Sequence, residues 1–537
     1  MDFIDRILYN ANIITQDSAK PRVSALAIMG ERIVASGSDD EILALASART
    51  IRHNLNGLTI IPGLTDAHIH WRMTAESLRK VNLFEVPDKA TALERVAERA
   101  RQTPEGEWIR GFGWTQDIWP DKAFPTAADL DRVAPNHPVY LQSKSIHAGW
   151  VNSLALRLAG IDASTPDPPG GAIMRDADGK PTGILLESPA MNMVAELIPE
   201  PTPEQLAGIM LEAQRLALAA GLTGIHDFDT ADSLRALQVM RERGELRLRV
   251  LKQITLDWFE AALQSGLRRG FGDDWIRIGG LKLFADGALG PRTAYMIAPY
   301  EGEPDNFGIV VTDKEEMAEL VSRASAAGLP STIHAIGDRA VHDVLDVYAA
   351  VRREEAARGE TPDTRRHRIE HLQLIHPDDK TRLAELRLIA SMQPIHATSD
   401  MEMSDRYWGE RSRWAYNPRI QIDQGVVVAF GSDSPVDTFD PIAGIHAAVT
   451  RRRADGSPGP EGWYPEARLT VAEALHGYTI GPAYAAGMEN RLGRLAPGYL
   501  ADLVVLNADP FNTPPDELLS LKVQATMVGG VWQYGEV

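Results

Sequence analysis

Short apolar segments alternate with longer amphipathic segments through the middle of the chain, and this alternation restricts the fold more than any other feature. Between about residues 59 and 488, strand-like segments begin at Thr59, Thr223, Arg247, Ile276, Ser331, His367, Ile389 and Val426. The segment from Pro203 to Ala220 has the apolar spacing of a helix, and Gly221 ends it. Eight strand–helix units in series predict a (β/α)₈ barrel. A doubly wound sheet is the alternative, but the glycine-rich turn expected after its first strand is absent from the sequence.

Both ends of the chain differ from the middle. Residues 1–58 and 489–537 contain short apolar stretches separated by turns rich in Asn, Asp and Gly. We therefore expect a small β domain assembled from residues 1–58 and 489–537, with the barrel over residues 59–488. Residues from about 84 to 186 do not fit the repeating units and are rich in aromatic residues and glycine. We expect them to form an insertion after the first barrel strand that covers the mouth of the active site.

The composition limits the chemistry. The 537 residues include no cysteine, which excludes disulfides and thiolate ligands, so a metal ion would need His, Asp, Glu or a less usual ligand. A net charge of -19 argues against a nucleic-acid partner. No apolar stretch approaches the roughly 18 residues of a membrane span, and the N-terminus lacks the pattern of a secretory signal. We expect a cytoplasmic protein with a small-molecule substrate and no membrane or nucleic-acid partner, and homodimerisation is a reasonable prior.

Potential metal ligands lie at the ends of several predicted strands. His68 and His70 share one face of the first strand because side chains alternate along an extended backbone. An isolated pair of this kind is weak support for a metal site. Later strand ends carry Lys282, His334, His371 and Asp433. The carboxyl ends of all barrel strands meet at one mouth, so these residues are predicted to share a single site for zinc or a similar ion.

Several longer motifs point in the same direction. They are PGLTDAHIH, HAGWVNS, GKPTGILLE, KLFADGALG, HAIGDRA, RIEHLQ, SMQP, GSDSPV and GRLAPGYLADLVVLNADP. In combination, over nearly the whole chain, they resemble the amidohydrolase superfamily, within it the YtcJ-like branch that includes N-substituted formamide deformylases. The resemblance implies a (β/α)₈ barrel carrying a small β-sandwich, and one or two divalent metal ions, usually zinc.

The resemblance also implies a role for each ligand. His68 and His70 resemble the ligands of the first strand, His334 and His371 those of the fifth and sixth strands, and Asp433 the aspartate of the last strand. Lys282 occupies the fourth-strand position, where many relatives carry a carboxylated lysine that bridges two metals. An ammonium group has no lone pair, so Lys282 can ligate only when deprotonated or carboxylated. We expect the carbamate and two ions; a single ion is the alternative.

These parts predict a hydrolase. Zinc lowers the pKa of a bound water to about 7. Asp433 is the expected general base and proton donor to the leaving amine, and His334 is the candidate histidine that helps the metal polarise the carbonyl. Cleavage of a non-peptide C–N bond in an amide or formamide is therefore predicted. Deamination or ester or lactone hydrolysis at the same site is a second interpretation, and a non-catalytic barrel that binds a small molecule is a third.

Four further residues are predicted to contact the substrate: His147, Trp114, Arg339 and His396. Each has a structural alternative. His147 could instead hold a loop in place, and Trp114 could pack inside the insertion. Arg339 could pair with acidic neighbours, and His396 could be a buried histidine with ordinary hydrogen bonds.

Overall fold

The computed structural model describes residues 4–84, 86–144, 148–169 and 171–536. The chain forms two compact units. One combines Met1–Thr74 with Pro203–Val537, and the other is Ala75–Thr202.

The first unit contains a sheet of eight parallel strands that pair in chain order. We number them β1 (Leu64–Ile69), β2 (Leu222–Asp227), β3 (Arg249–Ile254), β4 (Ile276–Phe284), β5 (Ser331–Ala335), β6 (Arg368–His371), β7 (Ile389–Met392) and β8 (Val427–Phe430). The first and last strands meet just beyond the end of β8, where the backbone nitrogen of Asp433 donates to the carbonyl oxygen of His68 at 2.7 Å. The predicted (β/α)₈ barrel is confirmed.

Helices connect the strands. The α-helices of this unit outside the terminal segments are Trp71–Ser77, whose last three residues belong to the second unit, Pro203–Ala219, Ala231–Glu242, Leu256–Gln264, Lys314–Ala326, Asp338–Ala357, Arg382–Glu385, Pro394–Trp408, Pro418–Asp423, Pro441–Thr450, Val471–Tyr478 and Ile480–Ala486. Pro203–Ala219 buries Leu206, Met210 and Ala217, as its apolar spacing predicts, whereas Leu216 is 49% exposed because it falls one position off that stripe. Among the described residues, no helix is both long and apolar enough to cross a membrane.

The stretch IIPGLTDAHIH, interpreted from the sequence as one barrel strand, is divided at Gly63. Thr59–Pro62 pairs with Leu503–Leu506, and Gly63 still donates its N–H to the carbonyl of Asp502 at 2.9 Å. From Leu64 onward the backbone pairs with β2 instead. The division occurs at a glycine because a Cβ at position 63 would lie 2.3 Å from the hydroxyl oxygen of Thr223.

The terminal segments form two packed sheets. One has the strands Arg32–Gly37, Ala25–Met29, Arg6–Tyr9 and Ile51–Asn54; the other has Val531–Tyr534, Val523–Val528, Leu503–Leu506, Thr59–Pro62, Asn12–Ile14 and Arg22–Val23. Leu26 and Ile33 of the first sheet share one apolar core with Ile60, Val505 and Met527 of the second. The β domain built from both termini is therefore a β-sandwich, and Thr59–Pro62 belongs to it.

The second unit, Ala75–Thr202, has its own sheet and core. Its strands, in sheet order, are Ala172–Arg175, Pro181–Leu186, Ala148–Val151, Val139–Ser143, Ile109–Trp114 and Val81–Asn82, and its helices are Lys89–Gln102, Ala127–Asp131, Ser153–Leu158 and Glu187–Ala195. The buried rings of Trp114, Trp119 and Trp150 lie at its centre, with centroids 6.1 to 6.4 Å apart. The region predicted as an insertion at about 84–186 lies inside this unit.

Candidate metal centre

Four histidines and one aspartate meet at the carboxyl ends of the barrel strands. His68 lies in β1 and His70 directly follows it, His334 lies in β5, His371 ends β6, and Asp433 follows β8. The rings are close together: the centroids of His68 and His371 are 4.7 Å apart, and those of His334 and His371 are 4.5 Å apart. The barrel topology therefore brings together residues that are up to several hundred positions apart in the chain.

The spacing of His68, His70 and Asp433 suits a shared ion. Asp433 Oδ1 lies 3.5 Å from His68 Nε2 and 3.4 Å from His70 Nε2. Two atoms that each lie about 2.1 Å from a tetrahedral zinc ion are about 3.4 Å apart. His68 Nε2 is buried, and in the described part of the chain no group forms a hydrogen bond with it. These side chains therefore fit a divalent cation.

The second ring nitrogen of each histidine forms a hydrogen bond. The pairs are His68 Nδ1 with Glu370 Oε2 at 2.5 Å, His70 Nδ1 with Asp229 Oδ1 at 3.1 Å, His371 Nδ1 with Gln393 Oε1 at 3.0 Å, and His334 Nε2 with the carbonyl oxygen of Gly287 at 2.9 Å. Because each acceptor is an oxygen, each of these nitrogens is the donor. The opposite nitrogen of a neutral ring then has a lone pair, which is the arrangement that metal-ligating histidines use.

Glu370 is a buried partner of a candidate ligand, and the sequence analysis did not identify it. It lies in β6, is buried, and contacts Arg368 Nε at 2.8 Å as well as the Thr332 hydroxyl and His68. Burial raises the pKa of Glu370, but Arg368 and His68 outweigh burial and hold it well below its usual value. A charged residue in the middle of the buried strand RIEH was the available signal in the sequence.

Asp66 and Asp229 were also missed. Asp66 accepts hydrogen bonds from the backbone nitrogens of His68 at 3.0 Å and Ser432 at 3.1 Å, so it joins β1 to the loop after β8. Burial raises the pKa of Asp66 to about 7. Asp229 follows β2 and orients His70, and it also accepts from the backbone nitrogen of Met73 at 3.2 Å. Asp66 lies two residues before His68 on the same strand, which is the period of a strand, and this was an available signal in the sequence.

The electrostatic environment lowers the pKa of three of the histidines, His68, His334 and His371. Burial lowers the pKa of His68 to about 4 and that of His334 to about 3. Burial also lowers the pKa of His70, but the Asp229 and Asp433 carboxylates outweigh it and raise the value to about 9. Burial raises the pKa of Asp433, yet its histidine neighbours hold it well below the usual range. The site thus combines neutral imidazoles at His68 and His334 with a protonated His70 beside the ionised Asp433, and His70 must lose that proton to ligate a metal.

Two of the candidate ligands have a strained backbone. His371 has φ +70° and Asp433 has φ +59°, a left-handed conformation that residues other than glycine seldom adopt. Such strain persists only where surrounding contacts enforce it, and it concentrates at functional sites.

Lys282 lies in β4 and is 2% exposed. Its Nζ lies 4.9 Å from the ring centroid of Phe228 and 4.5 Å from that of Phe284. Among the residues that the structure describes, none forms a hydrogen bond with this nitrogen. Burial lowers the pKa of Lys282 to about 8, so the neutral amine is more accessible than in a solvated lysine.

The four predicted substrate residues have different surroundings. His396 lies in Pro394–Trp408, with Nε2 3.9 Å from Asp433 Oδ2, so it joins the cluster of candidate ligands. Trp114 is fully buried in the core of the second unit, where its Nε1 donates to the carbonyl oxygen of Leu141 at 2.9 Å. This is the aromatic packing named above as its alternative. Arg339 forms an ion pair with Asp343 at 3.2 Å. His147 lies outside the described residues.

The chain is similar to known proteins both in sequence and in fold. The family model described as "Amidohydrolase family" matches residues 53–534. N-substituted formamide deformylase of Arthrobacter pascens is 33% identical over 99% of this chain and 98% of its own length, and putative amidohydrolase YtcJ of Bacillus subtilis is 32% identical over 98% of each. The crystal structure of an uncharacterized metal-dependent hydrolase from Pyrococcus furiosus matches with a TM-score of 0.78 at 30% identity, covering 94% of this chain and 100% of that chain. This chain belongs to the amidohydrolase family.

Proposed function

We propose that this protein is a metal-dependent hydrolase that cleaves the non-peptide C–N bond of a small amide, with N-substituted formamides as the first candidates. One observation carries the proposal: the candidate ligand atoms of His68, His70 and Asp433 all lie within 4.8 Å of one another. The full-length similarity to an N-substituted formamide deformylase supports the choice of bond.

We assign the divalent cations to six side chains. His68, His70 and Asp433 would hold a first ion, and Lys282, His334 and His371 would complete the set for a second. Nitrogen and oxygen donors in a chain without cysteine suit Zn²⁺. A bound divalent cation polarises a carbonyl group and acidifies water. Because His334 Nε2 donates to the carbonyl of Gly287, we propose that His334 acts through Nδ1 as a ligand.

We propose that Lys282 is carboxylated in the active protein. Its buried nitrogen has a pKa lowered to about 8, and the lone pair of the neutral amine can add to carbon dioxide. A new N–C bond forms, one amine proton leaves to water, and the resulting carbamate offers two anionic oxygens as ligands. Electron density for the carboxyl group, or a carbamate ¹³C resonance after equilibration with ¹³CO₂, is the expected result. Density that ends at Nζ, together with the absence of that resonance, would refute the carbamate.

Asp433 carries the proton in this proposal. Its Oδ1 faces His68 and His70, whereas Oδ2 is directed toward His396. We assign Oδ2 as the atom that accepts a proton from the attacking water and then donates it to the leaving nitrogen. An ionised carboxylate with a lowered pKa is available as an acceptor at neutral pH.

The test combines metal analysis with a substrate panel. We expect at least about one equivalent of zinc per chain, and release of formate and amine from N-formyl amines, with N-acyl amines, ring amides, esters and lactones in parallel. The double variant His68→Asn/His70→Asn should lose metal and turnover together, whereas His376→Asn, at a half-buried histidine that is not among the candidate ligands, should lose neither. Metal below about half an equivalent, or hydrolysis of esters alone, contradicts the proposal.

A further inference from the structure

A pocket lies at the amino ends of the barrel strands, opposite the ends that carry the candidate metal ligands. Gly224, Arg249 and Arg277 line it from the starts of β2, β3 and β4, and the helix Ile480–Ala486 borders it. Among the described residues that line this amino-end pocket, none is a proposed metal ligand. The metal chemistry therefore gives the pocket no role.

The wall of the amino-end pocket is partly aliphatic and partly charged. Its larger aliphatic side chains are Ile225, Val250, Leu251, Met488, Leu492 and Leu500. Its charged side chains are Arg249, Asp274, Arg277 and Asp502. The cavity has a volume of about 40 Å³. A single water needs about 10 to 15 Å³ on this measure, so the space suits roughly three waters or one small organic ion.

Three of the four charged side chains are paired with each other or with a neighbour. Arg249 donates through Nη2 to Asp502 Oδ1 at 2.9 Å and through Nη1 to the backbone carbonyl of Asp274 at 3.1 Å. The carboxylate of Asp274 forms an ion pair with Arg491. These three charges are thus balanced within the protein.

Arg277 differs from these three. In the part of the chain that the structure describes, no carboxylate forms an ion pair with its guanidinium, and its buried Nε has no hydrogen-bond partner. The neighbouring Asp273 is already paired with Arg241 at 2.9 Å. Burial lowers the pKa of Arg277, although Asp273 and Asp274 oppose this at longer range. Since buried polar groups are normally paired, a ligand for Arg277 is expected.

The surroundings of Arg277 restrict the chemistry of that ligand. A guanidinium presents parallel N–H donors that match the two oxygens of a carboxylate. The aliphatic wall suits a methyl or ethyl group beside that carboxylate. Asp274 and Asp502 also line the pocket, and their charges disfavour a doubly charged anion such as hydrogen phosphate. A monoanion with one apolar end fits these conditions.

We propose that the amino-end pocket binds a short aliphatic carboxylate of about the size of acetate, with Arg277 as its anchor and the aliphatic wall around its alkyl group. The inference goes beyond the proposed function and does not rest on it, because no proposed metal ligand takes part.

Saturation-transfer NMR with acetate as the probe tests the site in solution. A metal ion could bind acetate by itself, so the metal-deficient double variant His68→Asn/His70→Asn is the background. Saturation of the protein should reach the acetate methyl protons in this background. Adding Arg277→Met should weaken acetate binding by about tenfold or more, and Arg277→Lys, which keeps the charge but not the fork, should recover part of the affinity.

The control and the competitors separate this site from general attraction to positive charge. Arg235→Met, at an arginine whose side chain is 64% exposed, should leave acetate binding unchanged. Propionate should displace acetate, whereas inorganic phosphate at the same concentration should not. Equal acetate affinity with and without Arg277→Met overturns the inference, and so does displacement by phosphate as effective as that by propionate.

Crystals of the wild-type protein soaked in acetate provide a test that depends on no variant. We expect planar density in the amino-end pocket, with carboxylate oxygens about 2.7 to 2.9 Å from the guanidinium nitrogens of Arg277. Density for water alone beside Arg277 at saturating acetate contradicts the inference. Neither result bears on the metal centre, which is tested separately by metal analysis.

Discussion

At the residue scale, the site depends as much on the groups that orient the ligands as on the ligands. Glu370 holds His68 through Nδ1, and Asp229 holds His70 in the same way. Such contacts set the tautomer and the direction of each ring, and they increase the basicity of the opposite nitrogen. Since Glu370 also contacts Arg368, its carboxylate is held between a cation and the ligand that it orients.

Replacement of Glu370 tests this role. Glu370→Gln keeps the size of the side chain but removes its charge, so it should reduce zinc affinity by about 10- to 100-fold. Competition with a fluorescent zinc chelator measures the change. Glu315→Gln, at an exposed position of Lys314–Ala326, serves as the control. Equal zinc affinity in Glu370→Gln and the wild type would show that Glu370 does not orient His68.

Replacement of Asp433 tests proton transfer. Asp433→Asn retains a carbonyl oxygen for ligation but cannot accept the proton, so kcat should fall by about 10²- to 10⁴-fold while zinc content and circular dichroism stay unchanged. Steady-state kinetics on the best formamide of the panel measures it. Asp305→Asn, at an exposed loop position, should keep wild-type kcat. A kcat within about twofold of wild type for Asp433→Asn would remove its assigned role.

At the element scale, a buried hydrogen-bond network connects two helices to a strand that carries a candidate ligand. Glu355, in the helix Asp338–Ala357, accepts from His367 Nε2 at 2.8 Å, from the Ser325 hydroxyl at 2.7 Å and from Arg352 at 2.6 Å. Ser325 lies in the preceding helix, and His367 directly precedes β6. One carboxylate therefore ties two helices to the strand that ends in His371.

This carboxylate makes stability depend on pH. Burial raises the pKa of Glu355, but His367, Ser325 and Arg352 outweigh it and lower the value from 4.5 to about 2. A depressed folded-state pKa contributes stability above the unfolded-state value, and that contribution is lost as the pH falls from about 4.5 toward about 2. Burial also lowers the pKa of His367, which acts in the same direction near pH 6.

The variant Glu355→Gln separates this contribution from the rest of the molecule. It should lower the free energy of unfolding at pH 7 by about 1 to 3 kcal/mol, with a smaller loss at pH 3.5. Urea unfolding at both pH values measures the difference. Glu354→Gln, the exposed neighbour on the same helix, is the matched control. An equal loss at both pH values would show that the charge of Glu355 does not govern acid stability.

At the scale of the whole molecule, the candidate ion joins the first barrel strand to the last. His68 lies in β1 and His70 directly follows it, and Asp433 comes from the loop after β8, where the two strands meet. An ion bound to all three stabilises the closed barrel, because it binds the folded state and not the unfolded chain.

Removal of metal should therefore lower the thermal midpoint. A free zinc concentration about 1,000 times the Kd contributes about 4 kcal/mol to folding, so exhaustive chelation should reduce Tm by several degrees. Differential scanning calorimetry measures the shift. Zinc should restore the midpoint, whereas magnesium, which prefers oxygen ligands, should not. An unchanged Tm after the zinc content has fallen to zero contradicts a structural contribution of the ion.

Much of the architecture could be predicted from the amino-acid sequence, because the signals for it lie within short segments of the chain. The alternation of apolar strands with amphipathic segments predicts the barrel, because each element buries a face whose period is visible in the sequence. His68, His70, Lys282, His334, His371 and Asp433 could be selected because parallel strands place their carboxyl ends at one mouth. Their detailed roles came from resemblance to a family, and they remain proposals.

The tertiary structure decided what depends on register between distant strands. Glu370 reaches His68 across 302 positions of the chain, and Asp229 reaches His70 across 159, distances at which no local period operates. The division of IIPGLTDAHIH at Gly63 likewise depends on two different partner strands. The sequence alone thus determined which elements form and which of their ends carry candidate ligands. The partner of each buried polar group was decided only by the packed barrel, because hydrogen bonds require atomic proximity that no single segment encodes.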